Sequence, residues 1–179
     1  MLNAENSLIL LIDIQEKLVN MLEKDTISSK AAKLLNAAGI LEIPCIITEQ
    51  YPKGLGPTVE ELKLETTDKT VFFEKTAFSA MQESGFKEIL RNYNRKNIII
   101  CGIEAHVCVY QTVSDLITEG YNVEIVQDIT ASRKETEFQT GMEKMKQLGA
   151  NVTSLEIVLF ELIKTSKHPH FKEIQGLIK

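Results

Sequence analysis

Three residues of different chemistry stand at the ends of apolar runs. Cys108 lies in Gly102-Ile103-Glu104-Ala105-His106-Val107-Cys108-Val109, between the β-like run Asn97–Cys101 and a helical pattern. Asp13 ends Leu8–Ile12, and Lys75 ends Val71–Glu74. A thiol near a helix N-terminus feels the positive end of the helix dipole, which favours thiolate, and a neighbouring ammonium adds to this. A carboxylate can take the thiol proton and later give it to a leaving amine. Acid, amine and thiol are the parts of a nucleophilic site, with Cys108 expected to be activated towards thiolate. Each has an ordinary reading when taken alone. Aspartate after a strand is often a turn residue, a lysine is usually solvated, and cysteine packs as a small hydrophobe. The joint placement is what points to catalysis. His106 suggests a Cys–His dyad, but it sits in the turn two residues from Cys108, and its side chain is expected to point elsewhere.

The elements that must position these residues follow an alternating pattern. Strands are expected near Leu8–Ile12, Cys45–Thr48, Val71–Phe73, Ile98–Cys101, Val123–Val126 and Asn151–Thr153. Helices are expected near Ile27–Leu41, Gln82–Tyr93, Val107–Glu119 and Thr136–Leu148, the first carrying Ala31, Leu34, Leu35 and Ala38 at helical spacing. This is the pattern of an α/β fold with a mainly parallel sheet. Ser79 with Gln82, and Ser132 with Glu135, have capping-box spacing, and Gly120 and Gly149 stand where C-terminal caps belong. Asp128 and Ser132 read as turn and capping residues. Glu49–Lys69 is the longest irregular stretch, and Tyr51-Pro52-Lys53-Gly54-Leu55-Gly56-Pro57-Thr58 marks a loop that can cover a binding crevice. In the segment 155–179, Leu155, Val158, Leu159, Leu162 and Ile163 form an apolar face that packs either on the chain's own core or on a neighbouring subunit.

Composition narrows the classes. The chain has 179 residues, 44% hydrophobic and 25% charged, which suits one domain, residues 1–179, with 155–179 as a helical tail. Net charge is −5 and no block of Lys and Arg stands out, which argues against nucleic acid as a partner. No apolar run is long enough to span a bilayer, and the first residues lack a basic signal-type region, so the expectation is no membrane and a cytoplasmic location. Three scattered cysteines make neither a disulfide framework nor a zinc pattern. Cys45 and Cys101 read as buried strand residues. Gly54-Leu55-Gly56 lacks the third glycine and helix start of a dinucleotide loop. His168 and His170 in the tail read as surface residues, and no cofactor or metal is expected.

Leu11-Ile12-Asp13-Ile14-Gln15, Phe73-Glu74-Lys75-Thr76-Ala77-Phe78-Ser79 and Gly102–Val109 resemble, in order, motifs of the isochorismatase-like cysteine hydrolases. The resemblance runs from about Ser7 to about Leu155. It implies a three-layer αβα fold, Rossmann-like, with a six-stranded mainly parallel sheet of order 3-2-1-4-5-6. Strands 1 and 4 then flank the switch point where ligands bind in open sheets. The resemblance implies Asp13, Lys75 and Cys108 as catalytic triad, a cis peptide at Ile103–Glu104, and an oxyanion hole from the backbone N–H groups of Glu104 and Cys108. It also implies a homo-oligomer acting on a small-molecule substrate. Gln50, Tyr51, Phe78 and Glu104 are candidate pocket residues. Nicotinamidases of the family carry an Asp and His metal cluster after strand 2. The matching Thr48-Glu49-Gln50-Tyr51-Pro52-Lys53 has no His and no paired carboxylates, so neither that metal site nor nicotinamidase activity is expected. Isochorismatases proper act on a vinyl ether and often lack the cysteine. Cys108 points instead to amide, ureido or related carbonyl hydrolysis. The Glu-Gln-Tyr-Pro-x-Gly-Leu-Gly loop is similar to a subgroup whose substrate the resemblance does not assign. A ligand-binding or assembly protein that kept the site as a pocket, and a thiol redox sensor using Cys108, are the alternatives left open.

Overall fold

The computed structural model describes residues Met1–Lys179. Its strands are β1 (Ser7–Ile12), β2 (Cys45–Gln50), β3 (Thr70–Lys75), β4 (Asn97–Ile103), β5 (Asn122–Ala131) and β6 (Asn151–Thr153). They form one sheet, all pairs parallel, in the order β3-β2-β1-β4-β5-β6. The nine α-helices are α1 (Glu16–Val19), α2 (Ser28–Ile40), α3 (Pro52–Leu55), α4 (Glu60–Lys63), α5 (Phe86–Tyr93), α6 (Tyr110–Thr118), α7 (Glu135–Gln147), α8 (Leu155–Ile163) and α9 (Phe171–Gly176). No helix is long and apolar enough to cross a membrane.

A parallel strand covered on both faces reads as an unbroken apolar run. β1 is buried at every position. Its Ile9 and Leu11 face one core, with Cys45, Cys101, Ile103 and the inner sides of α2, α8 and α9. Leu8, Leu10 and Ile12 face the other, with Cys108, Phe86, Val113, Leu116 and Met145 from the helical layer α5, α6 and α7. Each fully buried aliphatic side chain contributes roughly 1.5–3 kcal/mol. The two cores together hold the register of β1 between β2 and β4. The apolar face of 155–163 therefore packs on the chain's own core, while Ile157 and Phe160 remain exposed.

Several boundaries differ from the pattern reading. β5 continues to Ala131 instead of stopping at Val126. Its pairing with β4 jumps from Ile100↔Ile125 to Gly102↔Thr130, so Gln127, Asp128 and Ile129 bulge out. The Thr130 hydroxyl donates to the Val126 carbonyl at 2.8 Å and closes the bulge, and two polar residues in a row had looked like a strand end. Asp128 is thus a bulge residue. It does cap a helix, since its Oδ1 accepts from the Leu155 N–H at the start of α8. Neither capping box forms. Ser79 caps only a 3₁₀ turn at Ala80–Gln82, the Gln82 amide donates to Asp115 instead, and α5 starts at Phe86. Ser132 bonds His106, and α7 begins after Lys134 without a side-chain cap. Gly120 and Gly149 follow α6 and α7 at φ 81° and 102°, the expected C-cap geometry.

Candidate active site

The strand order brings the C-terminal ends of β1, β2, β3 and β4 side by side. Asp13 leaves β1 in a left-handed turn, φ 51°, with its N–H donating to the Thr48 carbonyl. Thr48 pairs with Ile12 across β1 and β2, and its buried hydroxyl donates to Asp13 Oδ1 at 2.6 Å. Gly102 lets β4 run against this turn. It has φ 133°, and a Cβ there would lie 2.0 Å from the Ile12 carbonyl oxygen. A side chain at that position would push apart the two segments that carry Asp13 and Cys108.

Lys75 closes β3, and its ammonium lies 2.7 Å from Asp13 Oδ2, with both side chains fully buried. The same Nζ donates to Gln50 Oε1 at 2.6 Å and to the Phe78 carbonyl at 3.1 Å. Gln50 is the register partner of Lys75 between β2 and β3. Its backbone is clamped by the buried Gln15. The Gln15 amide nitrogen donates to the carbonyls of Gln50 (3.1 Å) and Gly56 (2.6 Å), and its oxygen accepts from the Gln50 N–H (2.8 Å). The Phe78 loop is tied by Glu83, whose Oε1 accepts from the Thr76 and Ala77 N–H groups. Those two backbone donors hold the Glu83 carboxyl below its usual range.

Cys108 sits in a π-helical turn, Ala105–Val109, that precedes α6; the Val109 N–H donates to the Glu104 carbonyl five residues back. The Ile103–Glu104 peptide is cis, as the resemblance implied. The Glu104 N–H donates to no backbone carbonyl. Cys108 is buried against both charges. Burial first, and the Asp13 carboxylate second, push its thiol up to about 12, while the Lys75 ammonium pulls it down less. This corrects the expectation of a resting thiolate. The Lys75 charge is already matched by Asp13, and desolvation outweighs what remains.

Of the expected pocket residues, Gln50 is bonded to Lys75. Tyr51 and Phe78 are largely exposed, at 56% and 54%. Glu104 is 8% exposed and belongs to a separate charge cluster. Its carboxylate lies 3.4 Å from His106 Nδ1 and 3.4 Å from Arg133 Nε. His106 is held by Ser132 at 3.0 Å, which fits the expectation that it turns away from Cys108. Cys101 lines the opposite core from Cys108, and burial pushes both Cys101 and Cys45 upward. A cavity of about 320 Å³ adjoins the site, lined by Tyr51, Lys75, Thr76 and Glu83 among others. A larger cavity, about 790 Å³, lies at the bulge of β5 and includes none of Asp13, Lys75 and Cys108. No group of three or more His, Cys, Asp or Glu side chains is placed to hold a metal ion. Sequence reasoning missed the work of Thr48 and Gln15. The available signal was a polar side chain directly after an apolar run, as Thr48 is after Cys45-Ile46-Ile47.

The doubly wound parallel sheet of order 3-2-1-4-5-6, with polar residues gathered at the switch point, is the architecture of an isochorismatase-type hydrolase fold. The isochorismatase domain model matches residues 7–157, and the chain belongs to that family. Isochorismatase domain-containing protein 2 of Danio rerio is 42% identical over 178 residues, 99% of this chain and 89% of that protein. The structure of MAR1 ribonuclease from Caenorhabditis elegans shares 42% identity with a TM-score of 0.94, over 99% of this chain and 91% of that one. The ycaC gene product of Escherichia coli, described as an octameric hydrolase of unknown specificity, shares the fold at 24% identity. Its TM-score is 0.88, over 99% of this chain and 94% of that one.

Proposed function

We propose that the chain is a cofactor-independent cysteine hydrolase that cleaves a carbonyl C–N bond in a small amide or ureido substrate. The observation that carries this reading is the fully buried Asp13–Lys75 ion pair lying against Cys108. Burying two charges costs several kcal/mol per ion after relaxation, about what their attraction returns, so stability alone is a poor reason to keep the pair.

Cys108 rests as a neutral thiol. On substrate binding, Asp13 takes the thiol proton and Sγ bonds to the carbonyl carbon. The C=O electron pair moves onto oxygen, where the backbone N–H groups of Glu104 and Cys108 receive it. Collapse breaks the C–N bond, and the departing nitrogen takes the proton from Asp13. Water then attacks the thioester, Asp13 takes its proton, the C–S bond breaks, and the proton returns to sulfur. Lys75 stays charged throughout, balancing first the carboxylate and then the thiolate. Glu104, Tyr51 and Phe78 flank the substrate, and Gln50 stands beside Lys75.

The relative named a ribonuclease raises RNA as a substrate. A net charge of −5 without a basic stripe favours a small molecule. A redox role is disfavoured because Cys101, the neighbouring thiol in sequence, lies across the sheet from Cys108. The octameric neighbour supports a homo-oligomer. The test is amine or ammonia release from a panel of small amides and ureido compounds, with an RNA arm, using wild type and Cys108→Ala. Acid quenching should trap an acyl adduct on Cys108 by mass. Near-normal turnover by Cys108→Ala would sink the proposal, and ligand binding without turnover would favour a silent binding protein.

A further inference from the structure

An ammonium group has three N–H donors. In the resting site the Lys75 ammonium meets Asp13 Oδ2 at 2.7 Å, Gln50 Oε1 at 2.6 Å and the Phe78 carbonyl at 3.1 Å, with the Ala77 carbonyl further off at 3.4 Å. Four acceptors thus crowd three donors, and the hydrogen bond from Lys75 is the smallest of the influences on the Cys108 thiol. A Cys108 thiolate must compete with those acceptors for the Lys75 N–H groups. Asp13 is held by its opposite charge and by the Thr48 hydroxyl. The Phe78 carbonyl belongs to a loop that Glu83 ties at Thr76 and Ala77. Gln50 is neutral, half-buried and ends in a rotatable carboxamide, so it is the acceptor that leaves most easily.

We propose that Gln50 is a positioning residue that sets the reactivity of Cys108: its amide oxygen occupies the Lys75 donor that the thiolate needs, and its withdrawal arms the nucleophile. The proposal rests on the triad reading above. The Gln15 clamp fixes the N–H and C=O of Gln50, so the backbone stays while the side chain turns. The Gln50 amide nitrogen, now donating to the Thr76 carbonyl at 2.8 Å, gives that rotation a neutral bond to break. The charged groups that act on Cys108 are Asp13 from the β1 end and Lys75 from β3, so no third charge masks a change at Lys75. In the arming step the Lys75 N–H···Oε1 bond is exchanged for N–H···Sγ, and the thiol proton passes to Asp13.

The experiment is the rate of Cys108 alkylation by iodoacetamide from about pH 6 to about pH 10, read by peptide mass spectrometry. It uses full-length wild type, Gln50→Leu, Gln50→Glu, Lys75→Met and the Gln50→Leu/Lys75→Met double variant, with thermal melts to confirm folding. Gln50→Leu should react about tenfold faster at fixed pH, the size of one charge-assisted hydrogen bond. Gln50→Glu should react slower, because a second carboxylate takes more of the Lys75 charge. The opposite signs separate electrostatics from a loosened loop, which would speed both. In the double variant the Gln50→Leu gain should vanish. An unchanged rate in Gln50→Leu, or faster reaction in both Gln50 variants, overturns the proposal. If Lys75→Met slows alkylation and Gln50→Leu does not speed it, this proposal alone falls. If Lys75→Met leaves the rate and its pH dependence untouched, the triad reading falls with it.

Discussion

Two charge clusters flank the turn that carries Cys108, and they are built to different standards. On one side, Asp13 and Lys75 meet at 2.7 Å with no exposure, and each has further hydrogen bonds to Thr48, Gln50 and the Phe78 carbonyl. On the other, Glu104 faces His106 and Arg133 at 3.4 Å each. Arg133 is 55% exposed on its side chain, and Glu104 Oε2 has no hydrogen bond. The residue types are similar, but burial and partner count are not. A fully desolvated pair is costly to break and of little net use to stability. A loose, half-exposed pair costs little either way. The first pattern is what the proposed hydrolase reading needs at Cys108, and the second ties the Cys108 turn to the loop after β5.

The largest expected effect comes from splitting the buried pair. Asp13→Ala leaves a buried ammonium with neutral partners only, and should cost about 3–5 kcal/mol of unfolding free energy in urea titration. The double variant Asp13→Asn/Lys75→Met, which removes both charges, should recover most of that loss while remaining inactive. A single-variant loss under about 1 kcal/mol would erase the contrast between the clusters.

A second contrast is set by thiols. Cys45 and Cys108 are pushed up to about 12, and burial pushes Cys101 up as well. An unfolded thiol titrates near about 8.5. Above that pH the unfolded chain releases protons that the folded chain still holds, so stability falls as pH rises towards the folded values. Each thiol contributes about 1.4 kcal/mol per pH unit to the slope, up to about 4 for all three, within the window from about pH 8.5 to about pH 10. Cys45→Ala/Cys101→Ala should cut that slope to about one third, whatever it does to the absolute stability. Wild-type Cys108 alkylation should climb about tenfold per pH unit across the same window without a plateau. A plateau near neutrality would mean that Lys75 outweighs burial and Asp13 after all.

How much of this was legible beforehand depends on where the information sits. Ser7–Ile12 and Asn97–Ile103 are covered on both faces, so their strands show in the sequence as unbroken apolar runs. Asp13 was visible because it follows the first of these runs directly, Lys75 because it closes the half-buried β3, and Cys108 because it lies in the turn that follows β4. The remainder of β5 was not, because Gln127 and Asp128 bulge out of the ladder before Thr130 re-pairs with Gly102. Ser132 had the spacing of a cap but answers to His106, a partner 26 positions away. The state of Cys108 was misjudged for the same reason. A motif shows which charges are near, whereas the balance among burial, Asp13 and Lys75 exists only in three dimensions. Thr48 and Gln15 look like ordinary strand-end polar residues until their partners are seen.

The smallest expected effect lies in the looser cluster. Arg133→Ala removes a contact that is more than half exposed and sits at the edge of hydrogen-bond distance, so the loss of stability should be about 0.5 kcal/mol or less, and should shrink further in high salt. Glu104 keeps His106 nearby, and the Cys108 turn keeps its bond from Val109 to the Glu104 carbonyl. The pH dependence of Cys108 alkylation should therefore match wild type, since the charges acting on that thiol are Asp13 and Lys75. A change in the alkylation profile of Arg133→Ala would show that the two clusters communicate through the π-turn. The tether would then belong to the elements that position Cys108.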